Sequence, residues 1–395
     1  MYFLVSLILF PLQIIGIFIP KNKKKWVFGC SSGLYYKDNS KYFFEFSSNK
    51  KNVKAIWITK NKEVIKKIRQ MGYECYHFYS MIGVFHAITA GLIFISYSYS
   101  DVSFFCYIFP KKSKIINLWH GVAPKKMRQD QISGFLKKTI RNFLRLSLGR
   151  NYDYIITTSD KTISNLDAYF EVGKKKYLVS GYPRNDIFFN RESNKEVKKL
   201  IKNLSIKDKK IILYLPTYRK YEIDKKYILD TKLNFKKISK LLKRHNAFFF
   251  VKFHPVEKEI VRQINKYIKQ VDNINVLSND FLEGDIYPLL ARADVLITDY
   301  SSVYSDFLLT KKPIIFFPFD LNKYQNKDAG FLANYDDITP GPKVSNWNEL
   351  CSQLEVILSG KDDFEKSRNR ICNLFNRYKD GRSSERLFNK LISIK

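Results

Sequence analysis

The chain has 395 residues, of which 45% are hydrophobic and 16% aromatic, which excludes a disordered composition and suggests two domains of ordinary size. Its five cysteines are scattered without a C-x-x-C pair, which argues against a disulfide framework or a zinc site and favours a reducing compartment. The net charge of +32 indicates an anionic partner, namely nucleic acid, an anionic membrane surface or a phosphorylated substrate.

The first twenty residues carry no charge, and the basic run KNKKK follows them at once. About twenty apolar residues can just span a bilayer, and the basic run would then lie on the cytoplasmic side. Pro11 would kink a spanning helix, so a helix in the membrane interface is an alternative, and a core helix of the first domain is another. We expect residues 1–24 to be a membrane-associated segment, with the rest of the chain cytoplasmic.

Residues 25–190 alternate short apolar runs with amphipathic stretches, which predicts a parallel sheet covered by helices. A helix is expected at 63–71, and a helix followed by a strand within 80–99. The predicted strands are 26–29, 55–59, 92–97, 114–120, 152–159 and the start of 177–189, where a Gly-Tyr-Pro turn follows.

A basic amphipathic helix is predicted over residues 134–150, where no acidic residue interrupts the lysines and arginines. Such a helix either lies on an anionic membrane or packs its apolar face on its own domain.

A second α/β half is predicted at 211–395, after a polar junction at 191–210. Its strands are expected at 211–219, 247–255 and 274–278, and its helices at 235–245, 285–293, 346–358 and 364–378. A β-α-β unit lies within 294–318, with a strand at 294–298, a serine turn, a helix at 303–309 and a second strand at 313–317.

The turn of this unit contains Ser301 and Ser302 directly before the predicted helix. A helix start offers unpaired N–H groups and the positive end of the dipole, so the turn can seat a pyrophosphate. The alternative is an ordinary capped helix in an α/β protein.

Two of the five histidines stand at predicted strand ends, where open parallel sheets bind ligands. His120 is followed by Gly121, and His254 by a proline, one in each half. If the halves face each other across a cleft, the two imidazoles can meet there, as a general base or as a phosphate ligand. The remaining histidines, His77, His86 and His245, have no such placement and are expected to be structural or on the surface.

Basic residues accompany these strand ends and would neutralise a phosphate-rich substrate. They are Lys125, Lys126, Arg128, Arg184, Arg219 and Lys252. The sequence contains no Walker loop, G-x-G-x-x-G, nucleophile elbow or paired-cysteine site, so no metal or cofactor is expected.

Six motifs in order resemble the CDP-glycerol glycerophosphotransferase family of teichoic-acid biosynthesis. They are NLWHGVAPKK at 117–126, SGYPRND at 180–186, LPTYR at 215–219, KFHP at 252–255, TDYSSVYSDF at 298–307 and the tail within 317–342. The resemblance covers about residues 25–375. The family usually has an Arg-Gly pair in the tail, whereas this chain has Ala329 and Gly330 after Asp320 and Tyr324, so alanine stands where the family has the arginine.

The resemblance implies a GT-B-like fold, with two Rossmann-like domains facing across a cleft. Residues 25–190 would bind the acceptor and the membrane, and residues 211–395 would bind the CDP donor. It implies that His120 and His254 are catalytic. It also implies substrate-binding residues in the matched segments, at Gly121, Lys125, Arg184, Thr217, Arg219, Lys252, Asp299, Ser301, Ser302, Asp306 and Asp320.

The implied reaction transfers glycerol phosphate, or a related alditol phosphate, from a CDP-alditol to a polyprenyl-linked acceptor and releases CMP. The enzyme would work on the cytoplasmic face of the cell membrane. The first alternative is a GT-B glycosyltransferase that uses a nucleotide sugar for a cell-surface polymer. A nucleic-acid binder lacks any recognition-helix, zinc-finger or RNP pattern, so no nucleic-acid partner is expected, and a weakly catalytic membrane scaffold is a further alternative.

Overall fold

The computed structural model describes most of the chain as two α/β units. The described residues are 18–103, 112–122, 152–190, 195–217, 235–253, 258–268, 271–278, 281–327, 331 and 333–393. Unit 1 comprises residues 1–120, 127–186 and 377–395, and unit 2 comprises residues 121–126 and 187–376. Residues 1–17 of the predicted membrane-associated segment and the whole predicted amphipathic helix at 134–150 lie outside the described residues.

Unit 1 contains a seven-stranded sheet in the order β3-β2-β1-β4-β5-β6-β7, in which every pair is parallel. The strands are β1 (Asn22–Phe28), β2 (Lys54–Thr59), β3 (Glu74–His77), β4 (Ala90–Ile95), β5 (Lys114–Asn117), β6 (Tyr154–Thr157) and β7 (Tyr177–Val179). The central strands are apolar on both faces because helices cover both faces of a doubly wound sheet; β4 is buried throughout.

Helices connect these strands and cover the sheet. They are α1 (Asp38–Ser48), α2 (Lys62–Gln70), α3 (Met81–Ile88) and α4 (Ile163–Phe170). The Asn61 side chain accepts the amides of Glu63 and Val64 and so starts α2 where the amphipathic pattern begins. The predicted helix-strand pair within 80–99 is confirmed as α3 and β4. Neither α1 nor β3 was predicted.

Unit 2 contains a five-stranded parallel sheet in the order β10-β9-β8-β11-β12. The strands are β8 (Lys210–Leu215), β9 (Ala247–Val251), β10 (Ile274–Val276), β11 (Val295–Thr298) and β12 (Ile314–Phe316). An apolar core cluster between one face of this sheet and its helices includes Tyr214, Phe249, Ile297, Phe317 and Trp347. The five strands expected from the sequence are all present.

The helices of this unit and of the C terminus complete the chain. They are α5 (Lys195–Asn203), α6 (Phe235–Arg244), α7 (Lys258–Ile268), α8 (Tyr287–Leu290), α9 (Val303–Phe307), α10 (Leu321–Lys327), α11 (Tyr335–Ile338), α12 (Trp347–Leu358), α13 (Glu365–Phe375) and α14 (Ser383–Ser393). The helix predicted at 303–309 ends earlier, at Phe307, and a 3-10 turn over Leu308–Thr310 follows it.

The C-terminal end of the chain corrects the predicted domain boundary, which assigned all of 211–395 to the second domain. Residues 377–395 belong to unit 1. The Asp186 carboxylate accepts the amides of Ser383 and Ser384 at 2.8 Å each and so caps α14. Lys390 donates to the carbonyl of Val179, the last residue of β7, and Arg386 donates to the carbonyl of Ser180, which follows it. The predicted junction 191–210 lies inside unit 2, where 195–203 forms α5.

In the part of the chain that is described, no helix combines the length and the apolar character needed to cross a bilayer. The membrane-associated segment therefore remains a prediction.

Candidate active site

His120 lies on a short loop after β5 in unit 1. The strand ends at Asn117, earlier than predicted, and Trp119 then adopts φ +48°, which turns the backbone out of the strand direction. The Asn117 side chain accepts the amide of Trp119 at 2.8 Å. The buried Asn39 amide donates to the carbonyls of Leu118 at 2.9 Å and of Trp119 at 3.0 Å. A non-glycine residue at positive φ costs about 1–3 kcal/mol, and these hydrogen bonds hold it in place.

The imidazole of His120 is oriented by the loop that follows β4. Its Nδ1 lies 3.2 Å from the carbonyl oxygen of Ser96, and its ring stacks on Tyr97 with centroids 4.4 Å apart and planes at 12°. A carbonyl oxygen can only accept, so Nδ1 carries the proton and Nε2 keeps its lone pair. Burial lowers the pKa of His120, although the Asp38 charge and the Ser96 hydrogen bond oppose the shift. The ring is therefore neutral at pH 7 and can accept a proton at Nε2.

A buried ion pair lies beside the His120 loop. Arg184 Nη1 donates to Asp38 Oδ1 at 2.6 Å and to the carbonyl oxygen of His120 at 2.9 Å. Only 3% of Arg184 and 7% of Asp38 are exposed. Burial alone would raise the pKa of Asp38, but the Arg184 charge, together with hydrogen bonds from the Asn39 amide and from Arg184, lowers that pKa. Because its guanidinium is buried against Asp38, a positioning role for Arg184 is favoured, and its direct contact with a phosphate stays a prediction.

The loop that carries Ser96 and Tyr97 is itself held by Asp101. Its Oδ2 accepts the amides of Ser96 at 3.0 Å, Tyr97 at 2.8 Å and Ser98 at 3.3 Å. Gly29 allows this arrangement, since a Cβ at that position would lie 2.1 Å from the Asp101 carbonyl oxygen. Gly29 thus packs against Asp101, Asp101 holds the Ser96 loop, and the Ser96 carbonyl orients the His120 imidazole.

In unit 2, Asp299 ties two strand ends together. It follows β11, is fully buried, and its Oδ1 accepts the Thr217 amide at 2.9 Å, the Thr217 hydroxyl at 2.5 Å and the Tyr300 amide at 2.6 Å. Thr217 follows β8, the neighbour of β11 in the sheet. Thr217 and Asp299, two of the predicted substrate-binding residues, are therefore in contact at the carboxyl ends of neighbouring strands.

The serine turn follows Asp299 directly. Ser301 and Ser302 are half-buried, and the Ser301 hydroxyl accepts the amide of Val303 at 3.3 Å. Ser302 precedes α9 without a capping bond from its side chain, so Ser301 takes the capping role that the sequence assigned to the pair. Because α9 is only five residues long, its dipole is small. The backbone amides of the turn are therefore the stronger candidates for hydrogen bonds to an anion.

The other predicted acidic residues of unit 2 are buried against tyrosines. Asp320 accepts the hydroxyl of Tyr300 at 2.9 Å, and Asp306 that of Tyr287 at 2.6 Å. Asp306 is 1% exposed and Asp320 7%. These contacts favour a role in shaping the turn, and direct contact of either carboxylate with a substrate stays a prediction.

The remaining predicted residues fall into two groups. Gly121 follows His120 on its loop, and Lys252 follows β9 with its amide donating to the Tyr214 carbonyl at 3.1 Å. Outside the described residues lie His254, Lys125, Lys126, Arg128, Arg219 and the Ala329-Gly330 pair.

Sequence reasoning missed the groups that control His120. Asp38 adopts φ +63° at the start of α1, and its partner Arg184 is 146 residues away in sequence, so no local pattern connects them. Asp101 carried a weak signal, because S-x-S-D after an apolar run is typical of a capped turn. Of the other histidines, His86 is buried against Tyr76, and His245 bonds Glu355 at 2.8 Å, as expected for structural residues.

Two α/β units, each with a parallel sheet and polar side chains after the strand ends, define the class of the protein as a GT-B-like α/β enzyme. Residues 12–393 match the family described as CDP-Glycerol:Poly(glycerophosphate) glycerophosphotransferase, and the chain belongs to that family. It is therefore a transferase, and the resemblance of the six motifs is confirmed.

Several teichoic acid enzymes are similar to this chain over most of their length. The teichoic acid poly(glycerol phosphate) polymerase of Bacillus spizizenii is 28% identical over 368 residues, which cover 89% of this chain and 88% of that protein. The teichoic acid glycerol-phosphate primase of Bacillus subtilis is 31% identical over 285 residues, 71% of this chain and 68% of that protein. The teichoic acid glycerol-phosphate transferase of Staphylococcus aureus is 27% identical, with 93% and 92% covered.

Solved structures share the fold at low identity. The wall teichoic acid polymerase TagF superposes with a TM-score of 0.75 and 22% identity, covering 95% of this chain and 90% of that one. The UDP-GlcNAc 2-epimerase of Neisseria meningitidis bound to UDP-GlcNAc superposes with a TM-score of 0.56 and 13% identity, covering 94% of this chain and 99% of that one. The first likeness supports the GT-B-like fold expected from the sequence.

Proposed function

We propose that the protein transfers glycerol phosphate, or a related alditol phosphate, from a CDP-alditol to a lipid-linked acceptor in teichoic acid synthesis and releases CMP. Family membership and the teichoic acid relatives support the reaction class. The observation that carries the proposal is the neutral His120 imidazole, whose Nδ1 is committed to Ser96 and whose Nε2 keeps its lone pair.

His120 Nε2 takes the proton of the acceptor hydroxyl. The oxygen then attacks the phosphorus that bears the alditol, and the bond from this phosphorus to the bridging oxygen breaks. The bridging oxygen keeps the electron pair and leaves as part of CMP. One phosphodiester bond forms and one phosphoanhydride bond is lost, with His120 left protonated.

Asp38 supports this step electrostatically. Its charge raises the pKa of His120 against the effect of burial, so it stabilises the imidazolium that forms when the acceptor is deprotonated. Arg184 keeps Asp38 ionised and at the same time binds the His120 carbonyl. The pair thus positions the base without contacting the substrate. A general base of this kind contributes roughly 10²–10⁴-fold in rate.

Unit 2 supplies the groups for the donor phosphates. The amides of Ser301 and Ser302, both hydroxyls, Thr217 and the Lys252 ammonium would bind and neutralise them. Asp299 and Asp320 hold the turn and the Thr217 loop in shape for this purpose. The resemblance adds His254 and Arg219 to the same task.

The lipid-linked acceptor implies work at a membrane surface, and we place the enzyme on the cytoplasmic face of the cell membrane. The uncharged segment of residues 1–20 and the net charge of +32 support contact with anionic lipid.

The donor can be identified by measuring nucleotide release from the detergent-purified full chain with a polyprenyl-linked acceptor. CDP-glycerol, CDP-ribitol and UDP-GlcNAc are tested in parallel. CMP release that requires both the acceptor and one CDP-alditol supports the proposal and names the alditol. Release of UDP from UDP-GlcNAc, with neither CDP-alditol consumed, overturns it in favour of a glycosyltransferase.

A further inference from the structure

A lysine-lined cavity of about 320 Å³ lies in unit 1 at the amino-terminal ends of the sheet strands. Lys21 and Lys23 stand at the start of β1, and Lys112 and Lys114 at the start of β5. These strands flank β4, whose first residues Gly91 and Leu92 also line the cavity. Three neighbouring strands thus bring four lysines to one cavity.

The cavity is distinct from the His120 cluster. His120 follows the carboxyl end of β5, whereas Lys114 begins that strand, and the strand Lys114–Asn117 alone spans roughly 10 Å. Neither Asp38, Arg184 nor any residue of the Asp299 cluster lines the cavity.

No acidic residue is among those that line the cavity. Asp153 lies beside Tyr154 and accepts the Ile115 amide at 2.8 Å. Burial raises the pKa of its carboxyl group, and the Lys114 charge opposes that rise. The Lys21 ammonium donates to the Ile88 carbonyl, which fixes it at the rim. The residues that line the cavity therefore carry four positive charges and no negative charge, which favours an anionic ligand.

The backbones of β1 and β4 pack closely where they line this cavity. A Cβ on Gly91 would lie 2.5 Å from the Asn22 carbonyl oxygen and 2.6 Å from Lys23 Cα, so glycine allows β1 and β4 to approach there. The pairing of β1 with β4 shifts register between Asn22 and Trp26. Leu92, Leu391 and Tyr154 supply apolar surface within the same cavity.

We propose that this cavity binds a phosphodiester anion carried on a glycerol or lipid backbone. Clustered ammonium groups bind phosphate oxygens as point charges, and the apolar wall suits the carbon skeleton next to the phosphate. The volume lies in the range of pockets that hold small ligands. The same chemistry occurs in a lipid headgroup and in a soluble glycerol-phosphate polymer.

Lysine footprinting of the full chain tests the site residue by residue. The rate of acetylation of each lysine is measured by mass spectrometry, with and without probe. We expect the probe to slow acetylation of Lys23 and Lys112 severalfold and to leave Lys66 and Lys240 unchanged, since these two exposed lysines lie on α2 and α6. Equal protection of all four, or of none, overturns the proposal.

Two probes distinguish the sources. Dihexanoyl phosphatidylglycerol below its micelle concentration presents a lipid headgroup, and a glycerol-phosphate oligomer presents the phosphodiester without a hydrocarbon tail. Protection by the lipid alone assigns the cavity to a headgroup, protection by the oligomer alone assigns it to a polymer chain, and protection by both supports the shared chemistry. Protection by neither contradicts the assignment.

Calorimetry on variants provides the independent check. The double variant Lys23→Gln, Lys112→Gln should weaken binding of the active probe about tenfold or more. The charge-matched control Lys66→Gln, Lys240→Gln should bind as the unmodified chain does. Equal weakening in both double variants would mean that net charge alone attracts the probe.

Two controls accompany the calorimetry. Thermal unfolding of all variants excludes a folding defect. Transfer to a water-soluble acceptor should be retained in the Lys23→Gln, Lys112→Gln variant, which separates this site from the catalytic one.

Discussion

The Nδ1 atom of His120 donates a hydrogen bond to the carbonyl oxygen of Ser96 over 3.2 Å, and this contact determines the chemistry of the ring. It selects the tautomer in which Nε2 is the basic nitrogen. Tyr97, next to Ser96, stacks on the same ring. Two residues after β4 thus fix both the orientation and the protonation of a base that follows β5.

The pH dependence of transfer should have an acid limb set by His120. Burial lowers its pKa, so the neutral base is present above that lowered pKa and is lost as the pH falls through it, at a lower pH than for an ordinary imidazole. Asp38 raises this pKa, so Asp38→Asn should move the acid limb of kcat/KM to lower pH and reduce the plateau. An acid limb that moves to higher pH in this variant would contradict the account.

The Asp38–Arg184 pair should show strong coupling in protein stability. Both groups are buried, and removing one partner of a buried pair leaves an uncompensated charge, so Asp38→Asn and Arg184→Gln should each cost about 3–5 kcal/mol of unfolding free energy. The double variant should cost clearly less than the sum, as measured by urea unfolding. Additive losses would mean that the two side chains do not interact.

Thr217 should affect donor binding through Asp299. Thr217→Val removes a hydroxyl that donates to the buried carboxylate at 2.5 Å, and we expect a loss of about 1–2 kcal/mol in stability and a higher KM for the donor. Thr310→Val is the matched control, because the Thr310 hydroxyl donates to the carbonyl of Phe307, the last residue of α9. The control should leave the KM unchanged. A KM effect of equal size in both variants would argue against the Asp299 contact.

Gly29 should influence catalysis from a distance. In Gly29→Ala the new methyl group would lie 2.1 Å from the Asp101 carbonyl oxygen, so the loop that holds Ser96 and Tyr97 must move, at a cost of about 1–3 kcal/mol. Gly72→Ala is strained by its φ of +82° but meets no atom within 4 Å. Both variants should lower the melting temperature, and only Gly29→Ala should lower kcat. Unchanged kcat in Gly29→Ala would show that this loop does not control His120.

Much of the fold could be predicted from the sequence because buried parallel strands appear as apolar runs. The runs at 92–97, 247–255 and 294–298 correspond to β4, β9 and β11. The edge strand β3 has a single buried residue, Cys75, so it carries no such run and was missed. Helix α14 was missed for a different reason, since its place in unit 1 depends on the distant Asp186 cap.

The candidate site could be predicted only where a functional group ends a strand. His120, Thr217, Asp299 and the serine turn follow strands, which a sequence pattern identifies. The contact between Arg184 and Asp38 joins segments that are 146 residues apart, so composition and spacing could not distinguish a positioning residue from a phosphate ligand. The buried guanidinium of Arg184 is the clearest case.

The measurement that tests the central claim most directly is acceptor-dependent CMP release by His120→Ala against the matched control His77→Ala. His77 ends β3 in the same unit, and its Nδ1 accepts the Tyr79 amide at 3.3 Å. We predict that the folded His120→Ala protein loses roughly 10²–10⁴-fold in kcat, whereas His77→Ala keeps its rate. A folded His120→Ala protein that releases CMP at the unmodified rate would contradict the assignment of His120 as the base.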